Sequence, residues 1–176
     1  WTLPANRAIA VGEDIAYCVA QIGRKKYILA EDLLPDIENK LNVKFNIVKK
    51  CSAKDLIKLE AQHPFYNVKV PVIIAPHVTT DSGTGLVHIA PGHGQEDYLA
   101  GILNDLEIFN PVDAKGFYNK SLEYFGGLNV RDADQPIIER IKNNDCLLGV
   151  KDYSHSYPHC WRFKTPLIFR ATPQWF

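Results

Sequence analysis

Apolar and polar residues alternate along the first part of the chain in a way that predicts short β-strands. Residues 7–30 show this alternation, interrupted only by the basic segment 23–26, and the pattern is typical of a hairpin with a basic turn. Further apolar runs predict four more strands, at residues 45–48, 68–75, 85–90 and 147–150. Because Pro71 lies within the second of these runs, we expect an edge strand or a strand start there.

Helical spacing of apolar residues appears between these strands. It predicts four helices, at residues 31–41, 53–60, 95–107 and 132–143. The third helix is predicted to be amphipathic, with one apolar face. That face comprises Tyr98, Leu99, Ile102, Leu103 and Leu106.

The irregular order of these strands and helices argues against a strict β-α-β alternation. We therefore predict an α+β fold with a barrel-like, mostly antiparallel β core and peripheral helices. At 176 residues the chain is long enough for one sizeable core, so residues 1–176 are predicted to form a single domain. Residues 153–176 are rich in aromatic residues and proline and are predicted to form a tail.

Composition and charge narrow the function classes. The formal net charge is zero, which argues against a protein that binds nucleic acid through overall positive charge, so any bound nucleic acid needs a local patch or a larger parent protein. Four scattered cysteines without paired spacing favour reduced thiols and a cytoplasmic location. We expect no membrane association, because no apolar run approaches the length of a membrane span.

Residues 80–98 hold the densest set of reactive groups, and the pattern there predicts a strand, a glycine-rich loop and a helix start. Asp97 falls in the first turn of the predicted helix, where unpaired N–H groups and the helix dipole stabilise a carboxylate. Such a carboxylate is either a simple helix-start acid or an anchor for an ammonium group. His88 lies on the strand and His93 in the loop, and a strand histidine is more often structural than functional.

The sequence gives weaker support for two other chemistries, an aspartic protease and a zinc site. Asp81 begins a sequence that resembles the aspartic-protease signature, but that reaction needs two carboxylates and therefore a dimer. Cys160 has His155 and His159 nearby, yet position 163 is phenylalanine, so a tetrahedral zinc site is incomplete. We predict no metal site.

Three segments together are specific for a known family. They are residues 1–6 (WTLPAN), residues 83–98 (GTGLVHIAPGHGQEDY), and residues 156–162 (SYPHCWR) with 170–176 (RATPQWF). They resemble the bacterial isoleucyl-tRNA synthetases, in which such segments bracket the large insertion called connective peptide 1, the editing domain. The related valyl and leucyl enzymes share this insertion, and His88 favours the isoleucyl member.

The resemblance implies hydrolysis of misacylated Val-tRNA(Ile) by a water molecule and leaves hydrolysis of valyl-adenylate open. A pocket that fits isoleucine excludes valine by only ~1–3 kcal/mol, a value known for this synthetase family itself and not worked out from this sequence. Discrimination of ~10⁴ therefore requires a second, smaller pocket that rejects isoleucine by overpacking.

The same resemblance assigns roles to individual residues. Asp97 is expected to hold the α-ammonium of the misattached valine, and His88 to line the pocket and exclude isoleucine. Trp1, Thr2 and Asn6 are expected to contact the ester and the terminal adenosine.

Two glycines complete the expected site. Gly92 and Gly94 are expected to let the backbone approach the ligand closely. The expected partners are the 3′ end of mischarged tRNA(Ile), its valine and the catalytic core of the parent synthetase. No cofactor is expected here, since ATP and Mg²⁺ belong to that core.

Alternatives remain open. The chain could be a non-catalytic module that binds the tRNA acceptor end, or the editing domain of a valyl or leucyl enzyme. We expect a monomer. Because an insertion leaves and re-enters one host domain, we also expect the two chain ends to lie close together.

Overall fold

The computed structural model describes residues 1–151 and 156–175. The predicted tail at 153–176 therefore begins and ends outside the described residues. Seven strands and four α-helices are present in the described ranges. The strands are β1 (Ala8–Val11), β2 (Ala16–Ile22), β3 (Lys25–Ala30), β4 (Asn46–Ser52), β5 (Glu60–Gln62), β6 (Lys69–Ile74) and β7 (Leu86–Ile89). The helices are α1 (Leu34–Leu41), α2 (Ala53–Leu56), α3 (Gln95–Leu103) and α4 (Asp134–Asn143), with short 3₁₀ turns at Leu3–Ala5, Glu31–Leu33 and Val130–Asp132.

The strands form two sheets. The first has the order β5-β6-β1-β7, in which β1 runs parallel to β6 and antiparallel to β7. The second has the order β3-β2-β4 and is antiparallel throughout. The α+β class with mostly antiparallel sheets is therefore confirmed, and β2 and β3 are the two arms of the predicted hairpin.

The two sheets share one core and are tied by buried polar contacts. Val11 of the first sheet packs with residues of β2 and β3 in the largest apolar cluster. The Tyr17 hydroxyl accepts a hydrogen bond from Gly12 N at 2.9 Å and donates one to Gly85 O at 2.8 Å. The start of the turn from β1 to β2, and the residue before β7, are thereby fixed to the second sheet.

A second cluster lies between the first sheet and α3. Ala100 of α3 is buried against small residues of β1, including Ala8 and Ala10. A Cβ added at Gly101 would come within 2.8 Å of Pro91 Cβ, so a larger residue there would push the helix away. Small side chains thus let α3 lie close to the sheet and place its first turn beside the end of β7.

Most of the predicted apolar face of α3 does not face the core. The helix ends at Leu103 rather than at residue 107, and Leu106, beyond that end, does pack against the second cluster. Leu99 is 55% exposed, Ile102 57% and Leu103 80%, whereas Ala100 and Gly101 are buried. Apolar spacing alone pointed to the wrong face, because close packing between helix and sheet here depends on small residues.

Three other predictions need correction. Residues 147–150 form no strand; Leu148 packs against the core, and a Cβ at Gly149 would meet Leu41 Cδ2 at 2.5 Å. Helix α2 ends at Leu56, and Glu60 already begins β5. Strand β6 is an inner strand rather than an edge, and Pro71 lies one residue before Val72, where pairing with β1 begins.

Candidate functional site

The N-terminal segment lies against β7 and the loop that follows it. A hydrogen bond of 2.9 Å links Thr2 Oγ1 to His88 Nε2. The Trp1 ring packs edge-on against the His93 ring, with centroids 5.0 Å apart, and the Tyr118 hydroxyl donates to the Trp1 carbonyl oxygen. Trp1, Thr2 and His88 are therefore brought together, although 86 positions separate the last two in the sequence.

His88 is held on the edge strand β7, opposite Ile9 of β1. Its Nδ1 atom is buried and has no hydrogen-bond partner among the described residues. The pKa of His88 is lowered to about 4, mainly by burial, with smaller contributions from the terminal amino group and His63. The ring is therefore neutral at pH 7, with Nε2 bound to Thr2 and Nδ1 buried without a partner among the described residues.

Asp97 lies in the first turn of α3, as predicted, and reaches back across the loop. Its Oδ2 accepts a hydrogen bond of 2.8 Å from Ala90 N, two residues beyond His88. Burial raises the pKa of Asp97 above its ordinary value, while the bond from Ala90 and the nearby His77 act in the opposite direction. A half-buried carboxylate of this kind gains most when a cation arrives to share its site.

His77 is a neighbour of this carboxylate that the sequence did not single out. It lies in the turn that follows β6, after Pro76, and its Nε2 atom is buried without a partner in the described ranges. No spacing or motif marked this histidine, because its approach to Asp97 depends on how α3 packs across the sheet.

Different neighbours require a glycine at positions 92 and 94 of the loop. A Cβ at Gly92 would lie 2.2 Å from the Phe109 carbonyl oxygen, so the close approach is to the protein's own backbone. A Cβ at Gly94 would lie 3.2 Å from the carboxyl carbon of Asp97, so this position leaves room for the carboxylate. The predicted approach of both glycines to a ligand stays a prediction.

Asn6 is only 3% exposed. Its side-chain oxygen accepts a hydrogen bond of 3.2 Å from Ile89 N and thereby fixes β7 to the N-terminal segment. In this arrangement Asn6 positions the strand that carries His88, and its predicted contact with an ester or adenosine stays a prediction.

The remaining candidates occupy ordinary positions. Asp81 is exposed in the turn before β7. His93 is buried, and its Nδ1 donates to the Phe169 carbonyl oxygen at 3.0 Å, so it shapes the loop as predicted. Within the described ranges no three His, Cys, Asp or Glu side chains are grouped as a metal site would require, and the cysteines there are free thiols; His155 lies outside those ranges.

The C-terminal segment runs along the same loop. Ala171 N donates to Gly92 O at 2.8 Å, and Phe169 bonds to His93, which in turn packs against Trp1. The segments near the two chain ends therefore meet at the loop, in agreement with the expectation. A cleft of about 450 Å³ lies between Gly92, Gly94 and this segment, and its lining includes neither His88 nor Asp97.

Helices long and apolar enough to span a bilayer are absent from the part of the chain that the structure describes.

Comparison with known proteins gives relatives that share one name, isoleucine–tRNA ligase. No protein-family model matches the chain. Over its whole length it is 48% identical to an isoleucine–tRNA ligase of Halorhodospira halophila and 49% identical to one of Aliivibrio fischeri. In both comparisons the chain spans 19% of the relative's length.

A crystal structure of GlLeuRS-CP1 has the same fold. It superposes with a TM-score of 0.66 at 17% sequence identity, over 86% of this chain and 80% of that one. At this level of identity the likeness concerns the fold alone.

Proposed function

We propose that this chain, a segment that belongs to the isoleucine–tRNA ligase family and has the fold of a synthetase CP1 domain, hydrolyses the ester bond between valine and misacylated tRNA(Ile). Attachment of isoleucine to tRNA(Ile) with ATP and Mg²⁺ is assigned by this proposal to the remaining four fifths of the parent enzyme. Two bonds at the end of β7 carry the proposal: Thr2 binds the His88 ring, and Asp97 binds the backbone of Ala90, two residues further along the chain.

The carboxylate of Asp97 is proposed to hold the α-ammonium of valine. It is the acid that the loop turns back to the end of β7, and it already accepts one backbone hydrogen bond at 2.8 Å. A hydrogen bond to a charged partner contributes about 1.5–3 kcal/mol. An arriving ammonium also offsets the unfavourable burial that raises the pKa of Asp97.

His88 is proposed to line the amino-acid pocket as a neutral ring. Because burial lowers the pKa of His88 to about 4, the ring does not repel the ammonium at pH 7. The bond to Thr2 fixes the orientation of the ring. A ring held in one position excludes an additional methylene more effectively than a mobile side chain, since the cost of overpacking rises when the neighbours cannot move.

Water is the proposed nucleophile. It attacks the ester carbonyl carbon, the bond between that carbon and the ribose oxygen breaks, and the products are free valine and tRNA with its terminal hydroxyl restored. The proton lost by water is taken up by the departing ribose oxygen. We assign no covalent intermediate. The Thr2 hydroxyl lies 2.9 Å from His88 Nε2, but the other ring nitrogen of His88 has no partner among the described residues, so the third group that orients the base in covalent catalysis is missing.

The test is release of radiolabelled valine from Val-tRNA(Ile) by the wild-type chain, by Asp97→Asn and by Glu96→Gln. Glu96 is the matched control, since it is the exposed acid next to Asp97 on α3. We expect Asp97→Asn to lower kcat/KM about 10–150-fold, the kinetic equivalent of 1.5–3 kcal/mol. Glu96→Gln should leave the rate nearly unchanged. Equal rates in all three proteins, or no release by the wild-type chain, would refute the proposal.

A further inference from the structure

A polar cleft of about 430 Å³ lies on the other side of the C-terminal segment from the Gly92 loop. Three cationic side chains line it, Lys115, Arg131 and Arg170, together with the hydroxyl-bearing residues Thr165 and Thr172. These cations come from three separate parts of the sequence, so neither their spacing nor the zero net charge of the chain revealed them.

None of the three cations forms an ion pair with a carboxylate of the described residues, where the ion pairs involve other basic groups. The neighbouring acid Asp113 turns its Oδ1 into its own turn, where it accepts from the backbone N–H of Lys115 at 2.8 Å and of Phe117 at 3.0 Å. The pKa of Asp113 is lowered by the bond from Phe117 and also by Arg170 and Lys115, so this carboxylate offsets part of their charge. The lining of the cleft still holds three cations and no acid.

Backbone contacts hold both arginines in place. Arg170 Nε donates to Val112 O at 2.8 Å, which leaves the terminal nitrogens of its guanidinium available. One terminal nitrogen of Arg131 donates to Pro166 O at 3.3 Å. Groups that are already fixed lose little conformational freedom when a ligand arrives, so more of the contact energy appears as affinity.

The turn that carries Lys115 is equally constrained. Gly116 has φ of +83°, and a Cβ there would lie 3.0 Å from Ile168 Cδ1 in the C-terminal segment. A larger residue would separate the two walls of the cleft. The local backbone thus maintains the short distance between the turn and the segment that bears Arg170.

We propose that this cleft binds successive phosphate groups of an RNA backbone, one at each of the three cations. Guanidinium groups match phosphate oxygens in two-point hydrogen bonds, and lysine adds a point charge. The inference rests on the proposed function, which requires the 3′ end of a tRNA at the neighbouring loop. Arg170 and Thr172 also line the cleft beside Gly92, so the two clefts adjoin along one segment. A strand of RNA whose last residue reaches the loop can therefore pass over the cationic cleft.

The experiment measures binding of uncharged tRNA(Ile), and of a single-stranded RNA that ends in CCA, by fluorescence anisotropy at salt concentrations from 50 to 200 mM. The test variant combines Lys115→Ala, Arg131→Ala and Arg170→Ala. The control variant removes the same charge elsewhere, through Arg24→Ala in the β2–β3 turn, Lys26→Ala in β3 and Lys49→Ala in β4. These three basic residues are exposed and form no ion pair within the described ranges.

We expect the slope of log K against log salt to be less steep by about 2 in the test variant. Each single-strand phosphate contact contributes about 0.7 to this slope, and the variant removes three contacts. The advantage of the wild type over this variant should then shrink about 15-fold between 50 and 200 mM salt. The control should retain the wild-type slope. Because Arg170 also bonds to Val112, a second variant with Lys115→Ala and Arg131→Ala alone should lose about 1.4 from the slope.

Three results overturn the inference: unchanged slopes in both cleft variants, an equal loss in the control, or full retention of RNA binding when inorganic phosphate occupies the cleft. These measurements use uncharged RNA, so they do not depend on hydrolysis. If valine release fails while the cleft variants still lose affinity, the proposed function falls and the RNA site stands. If valine is released and the slopes do not change, the proposed function stands and the RNA site is refuted.

Discussion

Acidification should destabilise the fold through His88. In the unfolded chain a histidine has a pKa of about 6.5, whereas burial lowers the pKa of His88 in the folded chain to about 4. As pH falls below 6.5, His88 becomes protonated in the unfolded chain but stays neutral in the folded chain, so the free energy of unfolding decreases. Above pH 6.5 His88 is neutral in both the folded and the unfolded chain, so protonation of His88 no longer reduces the free energy of unfolding. Over the 2.5 pH units between these values the loss is about 3 kcal/mol, at ~1.4 kcal/mol per unit.

The assay is urea unfolding of the wild type and of His88→Gln at several pH values between 7.5 and 4.5. Burial also lowers the pKa values of His63 and His93, so the wild-type curve alone contains contributions from all three histidines. The difference between wild type and variant isolates His88, because the other two are present in both proteins. Glutamine keeps a polar group that can still bond to Thr2.

The variant should be the less stable protein at pH 7.5, since it loses the packing of the ring. Its disadvantage should shrink steadily below pH 6.5, and by about 2–3 kcal/mol at pH 4.5, because glutamine takes up no proton. A difference in unfolding free energy that stays constant within about 0.5 kcal/mol over this range would refute the reasoning. It would mean that His88 accepts its proton as easily in the folded chain as in the unfolded one.

Three further substitutions test the loop and the pocket. Gly92→Ala should destabilise the fold by more than about 2 kcal/mol in urea unfolding, because its Cβ would lie 2.2 Å from the Phe109 carbonyl oxygen; Gly94→Ala should cost clearly less, and equal costs would contradict the packing argument. His88→Ala should increase deacylation of correctly charged Ile-tRNA(Ile), because the space left by the ring admits the additional methylene; an unchanged ratio of valine to isoleucine release would remove its role as a gate.

The sequence predicts those elements best whose pattern depends on local spacing. The β2–β3 hairpin follows from alternation around a basic turn, and α4 follows from apolar residues at helical spacing with Ile137 buried. The strand predicted at residues 147–150 was wrong, since an apolar run can pack against a core without pairing with another strand. The exposed face of α3 shows the same limit, because Ala100 and Gly101 decide how the helix packs.

The site was predictable only in part. Motif resemblance and the helix-start position pointed to His88 and Asp97, and the structure places both at one end of β7. The contact between Thr2 and His88 spans 86 positions and depends on tertiary packing, which a single sequence does not reveal. His77 was missed for the same reason, and so was the close approach of Gly92 to the backbone of Phe109, while the predicted approach of Gly92 to a ligand stays a prediction.

Affinity and discrimination are separated in this arrangement. The cationic cleft meets only the RNA backbone, which is identical in Val-tRNA(Ile) and Ile-tRNA(Ile), so its contribution to binding is the same for the correct and the incorrect substrate. The selectivity of the proposed reaction therefore has to arise where the two substrates differ, at the side chain of the amino acid. His88 suits that place because it is held by Thr2 and stays neutral at pH 7, so that it excludes volume without repelling the ammonium. Substitutions in the cleft and at His88 consequently act on different quantities, the first on how much RNA is bound and the second on which ester is hydrolysed.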